Sequence, residues 1–263
     1  MHNDLGVVLL AGGKRTLRTD GSNLPKLLEP IGDQPVLGHI LDSIRGITAL
    51  PVGSMTAVIS SLYEEPLRNF FHTQQVDGIA VQETPDGTAG AVWTSILQGV
   101  YPKTRHVLVL MGDQPLITSE NLDRFIIDTT NGRRRAGILT FWGSRTKDEL
   151  KKCGVVYRDE GGRYSHIQTR TPIPPNNEEE MLHAGPYLFE TSWLKGILTV
   201  TAAYHRNCYG NAPEWHLYEA LDAARANTGV EISISPSPQN FLGVDTLYAL
   251  EEVRQRMLQR HQS

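Results

Sequence analysis

The feature that most constrains this chain is a rhythm. Over residues 6–113, short apolar runs alternate with stretches of helical spacing. GVVLLAG (6–12), SMTAVIS (54–60), DGIAVQ (77–82) and HVLVLMGD (106–113) read as strands, the last the strongest. VLGHILDSIRGI (36–47), EEPLRNFFHTQ (64–74) and AGAVWTSILQGV (89–100) read as helices. A βαβα alternation of this kind predicts a parallel, helix-covered sheet. Ligands of such open sheets sit beyond the carboxyl ends of the strands. The residues following each apolar run are therefore the ones to search for chemistry.

Past about residue 135 the texture changes. AGILTFW (136–142) and GVVYRDEGGRYSHIQ (154–168) read as antiparallel strands, the second stretch folding back at Asp159-Glu160-Gly161-Gly162. TPIPPNNEEE (171–180) is too polar and proline-rich for a core element and is expected as a loop. EWHLYEALDAARANTG (214–229) and TLYALEEVRQRMLQR (246–260) predict amphipathic helices, with Asp245 as N-cap of the second. No internal repeat is present, and no hexapeptide repeat of the left-handed β-helix type.

Composition excludes several classes. A net charge of −4 leaves no electrostatic footprint for nucleic acid or an anionic membrane. Arg133-Arg134-Arg135 and Lys151-Lys152 are expected as solvated surface. Two isolated cysteines suggest free thiols in a reducing compartment, and the N-terminus lacks a leader pattern, so a soluble cytoplasmic protein is expected. GxGxxG is absent, and Gly13-Lys14 is followed by Arg15, which breaks the P-loop pattern. Neither HExxH nor GxSxG occurs, and the nine histidines have no metal-ligand spacing.

Four patches remain. LAGGK with Pro25-Lys26 (10–26) joins small residues, which let backbone N–H groups approach phosphate oxygens, to the cations Lys14, Arg18 and Lys26. The same stretch is equally consistent with a flexible βα loop. Gln82 followed by Gly87-Thr88 joins an amide that can pair with a pyrimidine edge to a glycine that allows close approach of a flat base; a plain helix N-cap is the other reading. In LVLMGDQPL (108–116) a long apolar strand delivers Asp113 to the ligand edge, where Mg²⁺ would take a carboxylate plus phosphate oxygens. Asp245, in FLGVDTLYAL (241–250), is a second carboxylate, although a helix cap alone would explain it.

Taken in order, LAGGK…LPKLLEPIGDQPVLGHIL, QETPDGTAGAV, LVLMGDQPL, the glycine hairpin, HAGPYLF, EWHLYEAL and GVDTLYALEEV resemble the sugar-phosphate nucleotidyltransferases. The similarity is greatest to the uridyltransferase domain of bacterial N-acetylglucosamine-1-phosphate uridyltransferase, without its β-helix acetyltransferase domain. It covers about residues 5–260. The resemblance implies an α/β fold: a mixed, mainly parallel Rossmann-like sheet with a smaller β-rich sugar-binding lobe. One domain over 1–263 would comprise a nucleotide-binding half (1–135) and a sugar-phosphate half with the C-terminal helices (136–263). The implied substrates are an NTP, UTP favoured, and a sugar 1-phosphate, with Mg²⁺ as cofactor and homo-oligomerisation left open.

Residue by residue, the resemblance places Leu10, Ala11, Gly12 and Gly13 against the nucleotide, and Gln82, Gly87 and Thr88 against its base. Lys26, with Lys14 and Arg18, would meet the phosphates. Asp113 and Asp245 would hold the metal, Asp113 also touching the nucleotide. Gly112, Gly154, Gln168, His183 and Ala184 fall at sugar-pocket positions. The departures concentrate in two places. The family's GxGTRM loop reads Gly13-Lys14-Arg15-Thr16-Leu17-Arg18, with Leu17 at the arginine's place, and the sugar pocket has Gln168 for a glutamate and His183-Ala184-Gly185 for Asn-Thr-Gly. Gly90 stands where relatives have histidine. The implied reaction is an NTP-dependent transfer onto a sugar phosphate; a catalytically silent nucleotide-sugar-binding relative is the alternative.

Overall fold

The structure, a computed structural model, describes residues 4–13, 17, 24–146, 150–169, 171–174, 178–209 and 214–262. β1 (Leu5–Ala11) leads through the short β2 (Pro30–Ile31) and β3 (Gln34–Pro35) into α1 (Val36–Arg45). Next come β4 (Val52–Ser60), α2 (Glu64–His72), β5 (Gly78–Gln82), α3 (Thr88–Leu97) and β6 (His106–Met111). The second half adds α4 (Ser119–Asn131), β7 (Ala136–Gly143), β8 (Val155–Arg158), β9 (Tyr164–Gln168) and β10 (Glu180–Glu190). It finishes with α5 (Thr191–Tyr209), α6 (Tyr218–Asn227), β11 (Val230–Ser235) and α7 (Leu247–Gln262).

The main sheet runs β11-β7-β10-β6-β1-β4-β5. β1, β4, β5 and β6 pair in parallel, as the alternation predicts. β10 enters antiparallel between β6 and β7, and β11 closes the edge parallel to β7. The β8–β9 hairpin joins the same sheet through the pairing of Val155 with Leu182. The β-rich second half thus extends the first sheet.

Side-chain alternation divides the core between the two faces. Leu5, Val7 and Leu9 of β1 and Leu108 and Leu110 of β6 pack with Ile40 and Leu41 of α1, Phe71 of α2, Phe125 of α4 and Val253 of α7. Val8, Val107 and Val109 point the other way, toward Val92 of α3, Leu198 of α5 and Leu221 of α6. Burying each such side chain contributes roughly 1.5–3 kcal/mol. The strands therefore read as continuous apolar runs because both faces are covered.

Two local expectations need correction. The 171–180 loop ends one residue sooner than its sequence suggests, because Glu180 already pairs with Gly143 and its carboxylate binds the buried Arg145. The cap of α7 is Thr246, whose Oγ1 accepts from the Ala249 N–H at 3.0 Å; Asp245 lies one residue earlier. No helix among the described residues is long and apolar enough to cross a membrane.

Candidate active site

β1 sends its next strand, β4, to one side, while β6 lies on the other. A crevice opens at that reversal, beyond the carboxyl ends of the strands. It is a cleft of about 420 Å³ lined by Leu10, Gly12, Gly13, Lys26, Gln82, Gly87, Thr88, Asp113 and Asp245, among others. Nine of the residues singled out from sequence meet there.

At one end is an amide. Gln82, the last residue of β5, is buried at 4% exposure, and its Nε2 donates to Asp86 Oδ1 at 2.5 Å. A carboxylate only accepts when ionised, so it holds the NH₂ group and leaves Oε1 for another partner. A Cβ on Gly12 would come within 3.0 Å of that Oε1. Asp86 also accounts for Gly90: a side chain there would meet Asp86 Oδ1 at 1.8 Å.

The loop after Gln82 is clamped from far along the chain. Trp215 N donates to Asp86 O at 2.6 Å, and Ala89 N donates to Trp215 O at 3.0 Å. Gly87, at φ +101°, passes so close that a Cβ would lie 2.3 Å from Trp215 O. Thr88 Oγ1 accepts from Leu217 N at 2.9 Å. These backbone bonds engage residues 215–217 outside the helix, so α6 begins at Tyr218 and not at 214. Glu214 and His216 line the cleft as a result. Asp86 sits in the quoted loop, but nothing local in the sequence couples it to residues 214–216.

At the other end is a charge cluster. Pro25 is extended, and Lys26 opens a single 3₁₀ turn that carries its side chain inward. Its Nζ donates to Asp113 Oδ2 and Asp245 Oδ1, both at 2.7 Å, with Lys26 6% exposed. Burial opposes the ammonium charge, but Asp113 and then Asp245 outweigh it and hold the lysine above its ordinary pKa. Asp113 stands just past β6, and its carbonyl accepts from Val244 N at 2.8 Å, which docks the Asp245 segment against it. Two carboxylates thus reach one cation. That donor set suits Mg²⁺, which takes one or two carboxylates and completes its shell with phosphate and water. No group of three or more metal-ligating side chains occurs among the described residues.

Beyond the cluster, a second hollow of about 290 Å³ shares Asp113 and Asp245 and adds Gln114, Lys152, Cys153, Phe241 and Tyr248. Lys152 stays exposed, as its sequence suggests, with its Nζ 4.0 Å from Asp245 Oδ2 at the rim of this hollow. Gln114 Nε2 donates to Ala184 O at 2.7 Å and Phe241 O at 3.1 Å, which ties β10 to this wall.

The remaining sequence candidates lie elsewhere. Ala11 turns its methyl into the core. Gly112 packs on β1, where a Cβ would be 2.8 Å from Leu10 O. Gly154 pairs by its carbonyl with His183 N at 2.9 Å, and Gln168 is exposed on β9. His183 stacks obliquely on Tyr187, and burial pushes its pKa down to about 3. None of Gly112, Gly154, Gln168 and His183 lines either hollow. Lys14 and Arg18 fall outside the described residues; Leu17, between them, is buried in the core.

Comparison with known proteins agrees with this architecture. The bifunctional protein GlmU of Desulfotalea psychrophila is 24% identical over 264 residues, covering 97% of this chain and 72% of that protein. GlmU of Burkholderia mallei is 28% identical over 258 residues, and the chain spans 52% of its length. Among solved structures, a CMP:2-keto-3-deoxy-manno-octonic acid synthetase complexed with CTP superposes with a TM-score of 0.63 at 16% identity, over 98% of this chain and 99% of that one, which establishes a shared fold. A model of the MobA-like NTP transferase domain matches residues 7–230. On that match, and with the cleft where such a fold places its ligands, the chain belongs to the family of MobA-like NTP transferase domains.

Proposed function

We propose that this nucleotidyltransferase joins a sugar 1-phosphate to UTP, forming a UDP-sugar and releasing pyrophosphate. The observation that carries the reading is that one cleft holds a buried, oriented amide at one end and the Lys26–Asp113–Asp245 cluster at the other. That is the layout a nucleoside triphosphate needs: a base-reading end and a phosphate end on rigid strand termini.

The attacking group is a phosphate oxygen, already anionic at neutral pH, so no general base is required. It forms a bond to the α-phosphorus as the bond to the bridging oxygen breaks, and pyrophosphate leaves with that electron pair. Catalysis then rests on in-line positioning and charge neutralisation. Asp113 and Asp245 would hold Mg²⁺, which when bound supplies positive charge along the reacting phosphates. Lys26, now lying between those carboxylates, is the residue to meet the triphosphate. Gln82 Oε1, oriented by Asp86, accepts from the base, and the uracil N3–H is a matching donor. The sugar phosphate enters through the second hollow, where Lys152 faces its charge.

Purified protein with Mg²⁺, UTP, CTP, ATP or GTP and a panel of sugar 1-phosphates tests this through pyrophosphate release. UTP is expected to support release at least tenfold better than CTP, with Asp113→Ala reducing it to background. Preference for CTP would overturn the choice of base. Folded protein that binds a nucleotide sugar in calorimetry but turns over no pair would replace the enzyme with the silent relative.

A further inference from the structure

The second hollow, of about 290 Å³, shares Asp113 and Asp245 with the nucleotide cleft. Gly112, Gly154, Gln168 and His183, placed at sugar positions by resemblance, do not line it. Recognition of the acceptor beyond its phosphate therefore falls to other side chains. Gln114 is placed for it: the residue directly follows Asp113, lines the hollow and is half-buried.

The Gln114 amide has a fixed orientation. Its Nε2 donates to Ala184 O at 2.7 Å and to Phe241 O at 3.1 Å. Both partners are carbonyls, which only accept, so the NH₂ group faces them and both its hydrogens are used. One anchor belongs to β10 and the other to the segment that leads to Asp245. Gly185 leaves room for this pose: at φ +107° it has no side chain, and a Cβ there would lie 2.5 Å from Oε1 and 2.9 Å from Nε2. Oε1 accepts from no described residue. Unlike the partnerless atoms of Ser54, His106, Thr171, His183 and Thr191, it is not shut away from solvent. The arrangement repeats that of Gln82, whose NH₂ group is held by Asp86 and whose Oε1 is left for a ligand.

An amide oxygen accepts and cannot donate, so the ligand group that meets it is a donor. The other polar groups of the hollow differ: Lys152 can only donate, and Thr246 Oγ1 already accepts from Ala249 N at 3.0 Å. Successive Cα atoms are about 3.8 Å apart, so a side chain at 114 reads atoms close to a phosphate held at Asp113. In a sugar 1-phosphate the phosphate-bearing carbon has two ring neighbours. The ring oxygen only accepts. C2 carries a hydroxyl or an acylamino N–H, and either one donates.

Resting on the nucleotidyltransferase reading above, we infer that Gln114 is the acceptor-specificity residue. Its Oε1 accepts from the C2 hydroxyl or N–H of the sugar 1-phosphate and so selects against 2-deoxy sugars. Pyrophosphate release with Mg²⁺, and whichever of UTP, CTP, ATP and GTP supports it, tests this in the wild type and in Gln114→Met. The acceptors are glucose and galactose 1-phosphates, each run against its 2-deoxy analogue. The wild type is expected to favour the parent sugar by about tenfold or more in kcat/KM. In Gln114→Met that ratio should fall to within about twofold, because only the parent loses a contact. A merely structural loss would lower both sugars alike and keep the ratio. If thermal unfolding shows that Gln114→Met does not fold, 3-deoxyglucose 1-phosphate decides with the wild type: losing the C2 oxygen should cost about fivefold more than losing the C3 oxygen. A wild-type ratio near one, equal costs at C2 and C3, or a ratio that Gln114→Met leaves unchanged overturns this inference while the turnover itself sustains the nucleotidyltransferase. No release from any pair overturns the two together.

Discussion

Replacing Lys26 by methionine isolates the ammonium, because the substituted side chain keeps length and apolar bulk. Each 2.7 Å ion pair has a gross attraction of roughly 6 kcal/mol at an effective dielectric near 20. Burying the lysine offsets much of this, and solvent screens Asp245, whose side chain is 40% exposed. The net loss should be about 2–4 kcal/mol, since the variant leaves two carboxylates facing each other without their cation. For a chain of this size that lowers the melting temperature by roughly 5–15 °C. Mg²⁺ should then act differently on the two proteins. In the wild type the ion competes with the ammonium; in Lys26→Met it finds the carboxylates unopposed and restores about 1–1.5 kcal/mol at ten times its Kd. Pyrophosphate release should nonetheless fall by about 10²–10³, because no side chain replaces the charge on the phosphates. Thermal unfolding with and without MgCl₂ reads the first two effects. Equal melting temperatures for both proteins, with equal Mg²⁺ responses, would show that the lysine does not bridge Asp113 and Asp245.

Three other perturbations probe the supports of the site. Asp86→Ala releases the Gln82 amide, and the nucleotide KM should rise about tenfold with a smaller change in kcat; unchanged KM would remove Gln82 from base recognition. Gly87→Ala forces a β-carbon against the Trp215 backbone at a φ of +101°, and should cost about 2–4 kcal/mol in urea unfolding and impair nucleotide binding; a neutral substitution would mean that the 215–217 clamp yields freely. His183 is half-buried, and desolvation of its imidazole lowers its pKa to about 3, so the unfolded chain binds its proton more readily. Its contribution to stability is fully present above about pH 6.5 and is lost as pH falls toward 3. His183→Leu should flatten the stability profile between pH 7.5 and 5, and parallel profiles for the two proteins would contradict the burial argument.

Much of the first half is legible locally. The apolar runs of β1, β4, β5 and β6 announce strands because both faces of each are covered, and Asp113 stands out because so apolar a strand ends on a carboxylate. The second half is less legible. β10 begins with glutamate and contains Gly185-Pro186, so its sequence reads as broken; its ladder with β7 shifts register between His183 and Tyr187, and β6 joins it from Tyr187 onward. α4, α5 and β11 likewise take their places from what they pack against. Arg133-Arg134-Arg135, read as solvated surface, is exposed at all three positions.

The sequence alone determined the parallel α/β sheet and the edge at which a ligand would bind, because period and strand-end chemistry are properties of neighbouring residues. Only the tertiary structure decided that Lys26 lies between Asp113 and Asp245, which are 87 and 219 residues away. It alone placed Trp215 behind Gly87 and Lys152 beside the second hollow. These contacts depend on where non-adjacent strands and loops converge, and a linear pattern carries no record of that convergence.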